Sequence, residues 1–282
     1  MSEAADFRTG KGHKDENFPV ASFILKPAYR APIMAFYRFA RTADDVADHA
    51  VATSDEKLAL LEAMRATLAG ESDENPEALA LREVLTERGL SPEHGFDLLT
   101  AFRQDATKAR YADWDDLIDY CRHSASPVGR FVLDVHGESR ELWPANDALC
   151  NALQVINHLQ DCADDYRELD RIYLPEAGLA AAGGVQALAA PSASPALRGL
   201  IVDLARQTQG LLDQSRPFAA GIRDARLAYE VALIQRLAES LTERLIRFDP
   251  LSERVHHRPW EVIGLALTAG ADRLFGRGRA AA

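Results

Sequence analysis

QVINHLQDCADD, residues 154–165, is the stretch on which the reading of this chain turns. Wound as a helix at about 100° per residue, it brings Gln154, Asn157, His158, Asp161 and Asp165 within roughly 50° of one line. Val155, Ile156, Leu159 and Ala163 fall opposite. A polar stripe over an apolar one is what any amphipathic surface helix shows. Two features set this stripe apart. No Lys or Arg occurs from Glu141 to Tyr166, and Asp161 and Asp165 are like charges four residues apart, a pairing that costs a helix roughly a few tenths of a kcal/mol. A solvated face usually mixes signs. Carboxylates gathered at this spacing call for a cation, and hard oxygen ligands suit Mg²⁺, which takes one or two carboxylates and the phosphates of a substrate.

The chain of 282 residues is long enough for a sizeable core, and its net charge of -11 argues against a nucleic-acid partner. Phosphate binding needs clustered Lys and Arg that no segment supplies. Cys121, Cys150 and Cys162 lie in apolar or helical stretches without metal-ligand spacing, which points to free thiols in a reducing compartment and away from zinc. Residues 1–17 are polar and mixed in charge, without the apolar centre of a secretory signal, and are expected to form a disordered arm. No run approaches the ~20 apolar residues of a membrane span, the nearest being residues 262–271. A cytoplasmic location is expected, with a peripheral membrane contact left open.

Alternating strand patterns are absent and apolar residues recur at three and four, so the expected class is all-α. The pattern predicts helices over 29–49, 54–69, 76–88, 92–107, 113–136, 145–169, 195–215, 222–248 and 259–274, with Ser91 as the N-cap of the fourth. Residues 180–196, rich in Ala, Gly, Ser and Pro, read as a surface loop or a weak helix. With no internal repeat, a single helical domain over 18–275 and a flexible tail over 276–282 are expected.

A second acidic cluster, Asp44-Asp45-Val46-Ala47-Asp48, closes the first predicted helix. With Asp44 at 0°, Tyr37, Asp48 and Arg41 fall within about 60° of it, on a stripe shared with Ile33 and Ala40. Arg38, Thr42, Asp45 and His49 lie at about 100° to 160°, where a solvated face belongs. Asp45 is therefore expected at the surface, with Asp44 and Asp48 turned inward. One such run is a weak signal, but two on separate helices, each with an i,i+4 Asp pair, are a stronger one.

At this point the residues carry a resemblance. FYRFARTADDVAD (residues 36–48) and QVINHLQDCADDYRELDRIYLP (154–175) resemble the two aspartate-rich motifs of the squalene and phytoene synthase family of head-to-head prenyl synthases. ENFPVASFIL (16–25) and YCRHSASPVGR (120–130) look most like its bacterial hydroxysqualene synthase subgroup, whose members eliminate diphosphate from presqualene diphosphate and add water. The resemblance implies an isoprenoid-synthase-type helical bundle with a central active-site cavity. Position by position, it implies that Asp44, Asp48, Asp161 and Asp165 hold Mg²⁺ and that Arg41 contacts diphosphate. Gln154 and Asn157 match polar residues beside the metals, Phe18, Tyr37 and Tyr120 match residues lining the prenyl chains, and Arg171 and Tyr173 match a further diphosphate-side pair.

Two departures bear on the reaction. Condensing relatives usually carry a serine-rich stretch where this chain has Glu16-Asn17, and many carry Arg where it has Gln160. Both changes remove diphosphate contacts. The leading expectation is conversion of presqualene diphosphate and water to hydroxysqualene and diphosphate, coupled functionally to other squalene-pathway enzymes. The alternatives are a synthase condensing two prenyl diphosphates and a noncatalytic helical interaction protein, against which four converging carboxylates speak.

The chemistry of the side chains agrees. Neutralising a departing diphosphate takes metal and guanidinium charge in a dry cavity, and the carbocation left behind is attracted to aromatic faces. Phe36, Tyr37 and Phe39 are candidates for such walls, with plain core the favoured reading for Phe36 and Phe39. Pro127, inside an otherwise helical run, releases the carbonyl of His123 and predicts a kink, which reads equally as packing or as part of a site; the family resemblance implies that it makes room for a prenyl chain. His158 reads as a hydrogen-bonded structural residue. Residues 260–273, apolar with an aromatic start and a basic end, read either as a core helix or as a helix lying on anionic lipid.

Overall fold

The computed structural model describes residues 26–258 and 260–266, and among them every regular element is a helix. The expected arm over 1–17, the tail over 276–282 and Phe18, Glu16 and Asn17 lie outside the described residues. The chain divides into two compact units, one from Met1–Ala109 with Asp119–Arg140, the other from Arg110–Ile118 with Glu141–Ala282.

The first unit is built on α1 (Pro27–Ala47), around which α2 (Ser54–Ala69), α3 (Pro76–Arg88), α4 (Glu93–Asp105) and α6 (Ser126–Val135) pack. Local chemistry sets the ends of these helices. Thr53 and Glu56 form a reciprocal capping box, Asn75 accepts from the Ala78 N–H ahead of Pro76, and Gly70 and Gly89 close α2 and α3 in the left-handed conformation that glycine adopts without strain. Pro32 sits inside α1 and removes the N–H that would bond the Ala28 carbonyl. Arg88 donates to that carbonyl at 2.8 Å instead. The α4 start differs from expectation: Pro92 takes the cap position, and the Ser91 hydroxyl accepts from the Glu93 N–H at 3.2 Å.

The expected helix over 113–136 is two helices, α5 (Trp114–Ser124) and α6, broken at Ala125. Pro127 cannot donate to the His123 carbonyl, and its ring disfavours helical geometry just before it, so it settles in the first turn of a new helix.

The second unit contains α7 (Trp143–Gln160), α8 (Cys162–Leu169), α9 (Glu176–Ala181), α10 (Pro195–Ser215), α11 (Phe218–Gly221) and α12 (Ala225–Arg247). Its centre is α10, which packs on both α7 and α12. Leu197, Ile201, Leu204, Thr208 and Leu212 recur at three and four along its buried face, the pattern expected of a helix with one long apolar stripe. Ser194 and Asp224 cap α10 and α12. The Ala/Gly-rich stretch 180–196 holds the last two residues of α9 and a 3₁₀ turn, Val185–Ala189, and is otherwise irregular up to the start of α10.

Candidate active site

In the first unit the site is assembled at the C-terminal end of α1. Arg41 reaches forward to two carboxylates, 2.9 Å to Asp44 and 2.7 Å to Asp45. Asp48, at the cap, donates its N–H to the Asp44 carbonyl at 2.9 Å, so the Asp44/Asp48 pair keeps helical i,i+4 spacing. The expectation for Asp45 is overturned. It is a buried residue whose side chain is 12% exposed, against 37% for Asp44. The reason is that α1 has helices on several sides, not one, so the arc assigned to solvent is covered at Asp45, which Arg41 holds, while Arg38 on the same arc is exposed.

A further carboxylate comes from a position the sequence reading missed. Asp105 is the last residue of α4 and accepts from the Tyr120 hydroxyl at 3.0 Å. Its one sequence signal is its placement: a carboxylate at a helix C-terminus faces the unfavourable end of the dipole. Together these acids perturb Asp44. Although part of its side chain meets solvent, the protein packed around it, with Asp48, Asp105 and Asp45, raises its carboxyl from 3.8 to about 7 against the opposing pull of Arg41. Burial and Asp105 likewise push the Cys121 thiol well up, which keeps it protonated. Tyr37 is half-buried and Tyr120 is buried. Phe36 and Phe39 are core, Phe36 stacking on Phe131 at 4.1 Å.

In the second unit the expected helix over 145–169 is interrupted at Asp161, which ends α7 and precedes α8 with φ -103° and ψ 8°. No Pro or Gly marks the break in the sequence. The backbone ladder nevertheless persists across it: the Asp161 N–H bonds the Asn157 carbonyl at 2.9 Å, and the Asp165 N–H bonds that of Asp161 at 2.8 Å. Asn157, Asp161 and Asp165 therefore keep their i,i+4 succession. Asp161 is exposed, and Gln154, Asn157 and Asp165 are half-buried. Asp164 points elsewhere, exposed and paired with Arg167 at 3.1 Å.

After α8 the chain reverses at Asp170, the one described non-glycine residue with positive φ, at 48°. Arg110 holds it there at 2.6 Å. The reversal returns Arg171 and Tyr173 to the interior, where both are buried, the Arg171 N–H bonding the Asp165 carbonyl at 3.2 Å. Tyr173 lies between two rings, stacked on His158 at 3.4 Å and on Tyr111 at 5.4 Å. Burial and the nearby Arg171 charge push His158 down to about 3, so it stays neutral through the physiological range. Its structural reading now has a form, a buried neutral ring stacked on Tyr173. Gln160 is also buried, and its amide donates to the Val255 carbonyl. The charge of Asp161 acts on His256, a neighbour that no motif in the sequence indicated, though burial and Arg254 dominate and lower that imidazole's pKa.

Among the described residues, Glu93, His94 and Asp134 bring three ligand atoms within 4.8 Å of one another. Arg140 already stands 2.8 Å from Glu93 and 3.1 Å from Asp134, so this group has a protein cation of its own. The α1 acids offer oxygen donors of the kind a hard dication takes, and burial first, then the charge of Asp48, raises the Asp44 carboxyl.

The comparisons with known proteins span the residues that carry both acidic clusters. The squalene/phytoene synthase family model matches residues 11–261. The chain is 58% identical to a hydroxysqualene synthase of Zymomonas mobilis over 275 residues, covering 96% of this chain and 93% of the relative. It is 52% identical to a hydroxysqualene synthase of Rhodopseudomonas palustris, covering 99% and 97%. The crystal structure of squalene synthase HpnC from Alicyclobacillus acidocaldarius is similar with a TM-score of 0.70 and 34% identity, covering 81% of this chain and 87% of that one. The chain belongs to the squalene/phytoene synthase family, and it has that family's all-α fold.

Proposed function

We propose that this protein is an Mg²⁺-dependent enzyme that converts presqualene diphosphate and water to hydroxysqualene and diphosphate. The observation that carries the reading is the 58% identity, over nearly the whole length of both chains, to a protein of that name. The environment of Asp44 supports it independently, because a carboxyl raised to about 7 by burial and then by neighbouring acids is one that a dication would ionise.

In this reading residues 18–275 work as one catalytic domain, and Asp44, Asp48, Asp161 and Asp165 hold the metal. The bound Mg²⁺ supplies charge that neutralises the leaving diphosphate. Arg41 adds hydrogen bonds to the diphosphate oxygens, and Asp45, which grips the same guanidinium at 2.7 Å, fixes its direction. Gln154 and Asn157 orient polar groups beside the metal, and Arg171 with Tyr173 completes the diphosphate side. Phe18, Tyr37 and Tyr120 line the prenyl chains and exclude bulk water. The C–O bond to diphosphate breaks with its electron pair on the departing oxygen, and the oxygen of one water adds to the carbocation and loses a proton. The substrate itself has to come from an enzyme that joins two prenyl diphosphates. Among the described residues no helix is long and apolar enough to cross a membrane, and we place the enzyme in the cytoplasm, at the inner membrane face where its apolar product belongs.

The test is a product analysis. With Mg²⁺ the purified protein should release diphosphate from presqualene diphosphate and yield hydroxysqualene, with little product from farnesyl diphosphate alone. Efficient coupling of two farnesyl diphosphates would establish a condensing synthase instead, and inertness toward both would favour an interaction protein.

A further inference from the structure

We infer that Arg110 and Tyr111 are positioning residues: they bracket the turn after α8 and set Arg171 and Tyr173 in place on the diphosphate side. The bracket rests on the proposed reaction for the roles of Arg171 and Tyr173, and it adds to that reaction what holds them.

The contacts all lie within the second unit, to which Arg110–Ile118 belong. Arg110 donates to the Asp170 carbonyl and, at 2.6 Å, to the Asp170 carboxylate. The Tyr111 ring stacks on Tyr173 at 5.4 Å. The Tyr111 carbonyl accepts the Glu176 N–H at 2.9 Å, where α9 begins. Two successive residues thus grip the returning chain at 170, 173 and 176, with Arg171 and Tyr173 inside the span. Tyr111 is 0% exposed, so the bracket is anchored in the core.

The turn is one that needs holding. Asp170 caps α8 at φ 48° and ψ 33°, in the left-handed region that glycine enters freely and side chains rarely adopt. The planar peptide that follows it is pinned at both ends. Arg110 holds its oxygen, and the Arg171 N–H bonds the Asp165 carbonyl at 3.2 Å, which ties the turn to the second acidic motif. The ion pair by itself contributes little, because the Asp170 side chain is 76% exposed. The bond to the carbonyl is the one that directs the chain into Arg171. Direction matters at this place, since a group that meets a leaving diphosphate acts only in register with it.

Arg110→Ala should lower kcat/KM for presqualene diphosphate about tenfold or more, and weaken binding of inorganic diphosphate with Mg²⁺, read by calorimetry, by a similar factor. Arg110→Lys keeps the charge and gives up the fork, and should fall in between, with circular dichroism confirming that both variants fold. The deciding comparison is rescue. In the Arg110→Ala background Asp170→Gly should restore part of both quantities, because glycine holds a positive φ unaided, whereas Asp170→Ala should lower them further. Without any ligand, hydrogen exchange at the Arg171 amide should quicken in Arg110→Ala and slow again once Asp170→Gly is added. Wild-type kcat/KM in Arg110→Ala, or equal effects of Gly and Ala at position 170, would overturn the inference. Wild-type protein inert toward presqualene diphosphate would overturn the proposed reaction, and the role of the bracket with it, so the wild-type assay tells the two failures apart.

Discussion

Replacing Asp44 by Asn should make the metal-free protein more stable and the enzyme much slower. The substitution keeps size and shape and removes one negative charge from the group formed with Asp45, Asp48 and Asp105. In the fold the surrounding protein and those neighbours raise the Asp44 carboxyl from 3.8 to about 7. Below 3.8 the folded and unfolded chains both carry the proton, and Asp44 contributes nothing to pH dependence. Between 3.8 and about 7 only the unfolded chain has lost it, so native stability falls as pH rises through that window, and above about 7 the full cost is present. The displacement corresponds to about 4 kcal/mol at most. Because 37% of the side chain is exposed, solvent screening reduces this to about 1–2 kcal/mol. In a chain of this size the gain amounts to about 2–5 °C in melting temperature. Thermal melts in chelator at about pH 8 should show Asp44→Asn above wild type, the gap closing as pH approaches 4. Adding Mg²⁺ should then favour wild type, since a ligand that binds only the folded state stabilises it by mass action. Turnover of the variant should drop by about 10²-fold or more, since a charge acting on the leaving group is felt mainly in the transition state. A variant that melts at or below wild type at high pH, or whose gain does not change with pH, would refute the reasoning.

Asp45→Asn should be costly as well, because it takes a carboxylate from Arg41 in a buried setting: a loss of about 1–3 kcal/mol in melts and a fall in kcat/KM are expected, and a fully active, fully stable variant would return Asp45 to the surface. His158, ordinarily at 6.5, is held down to about 3, so its contribution is lost as pH falls from 6.5 toward 3, when the unfolded chain takes up the proton first. His158→Phe, which preserves a ring against Tyr173, should move the acid-unfolding midpoint to lower pH, and the wild-type imidazole should show no NMR titration near neutrality. Gln160→Ala should strand the Val255 carbonyl and cost about 1–3 kcal/mol in urea unfolding, an effect absent if Gln160 has no structural part.

Much of this molecule is decided by local chemistry. The helices over 54–69, 76–88 and 195–215 begin and end where their caps and prolines stand, because a capping side chain acts within three or four residues of its own position. The i,i+4 succession of Asp44 with Asp48, and of Asn157 with Asp161 and Asp165, is likewise a property of the chain, since helical hydrogen bonds impose it wherever the helix forms. What periodicity cannot convey is which arc of a helix its neighbours will cover. Asp45 is inside because helices distant in sequence close over α1. Asp105 reaches the α1 acids because the end of α4 arrives there, and Trp260 and Ile263 are outside because α12 covers only one side of their segment. The break at Asp161 and the stack of His158 on Tyr173 belong to the same class. Solvation and mutual repulsion are set by residues brought together from far apart, so the charge on Asp44 is fixed only in the folded protein.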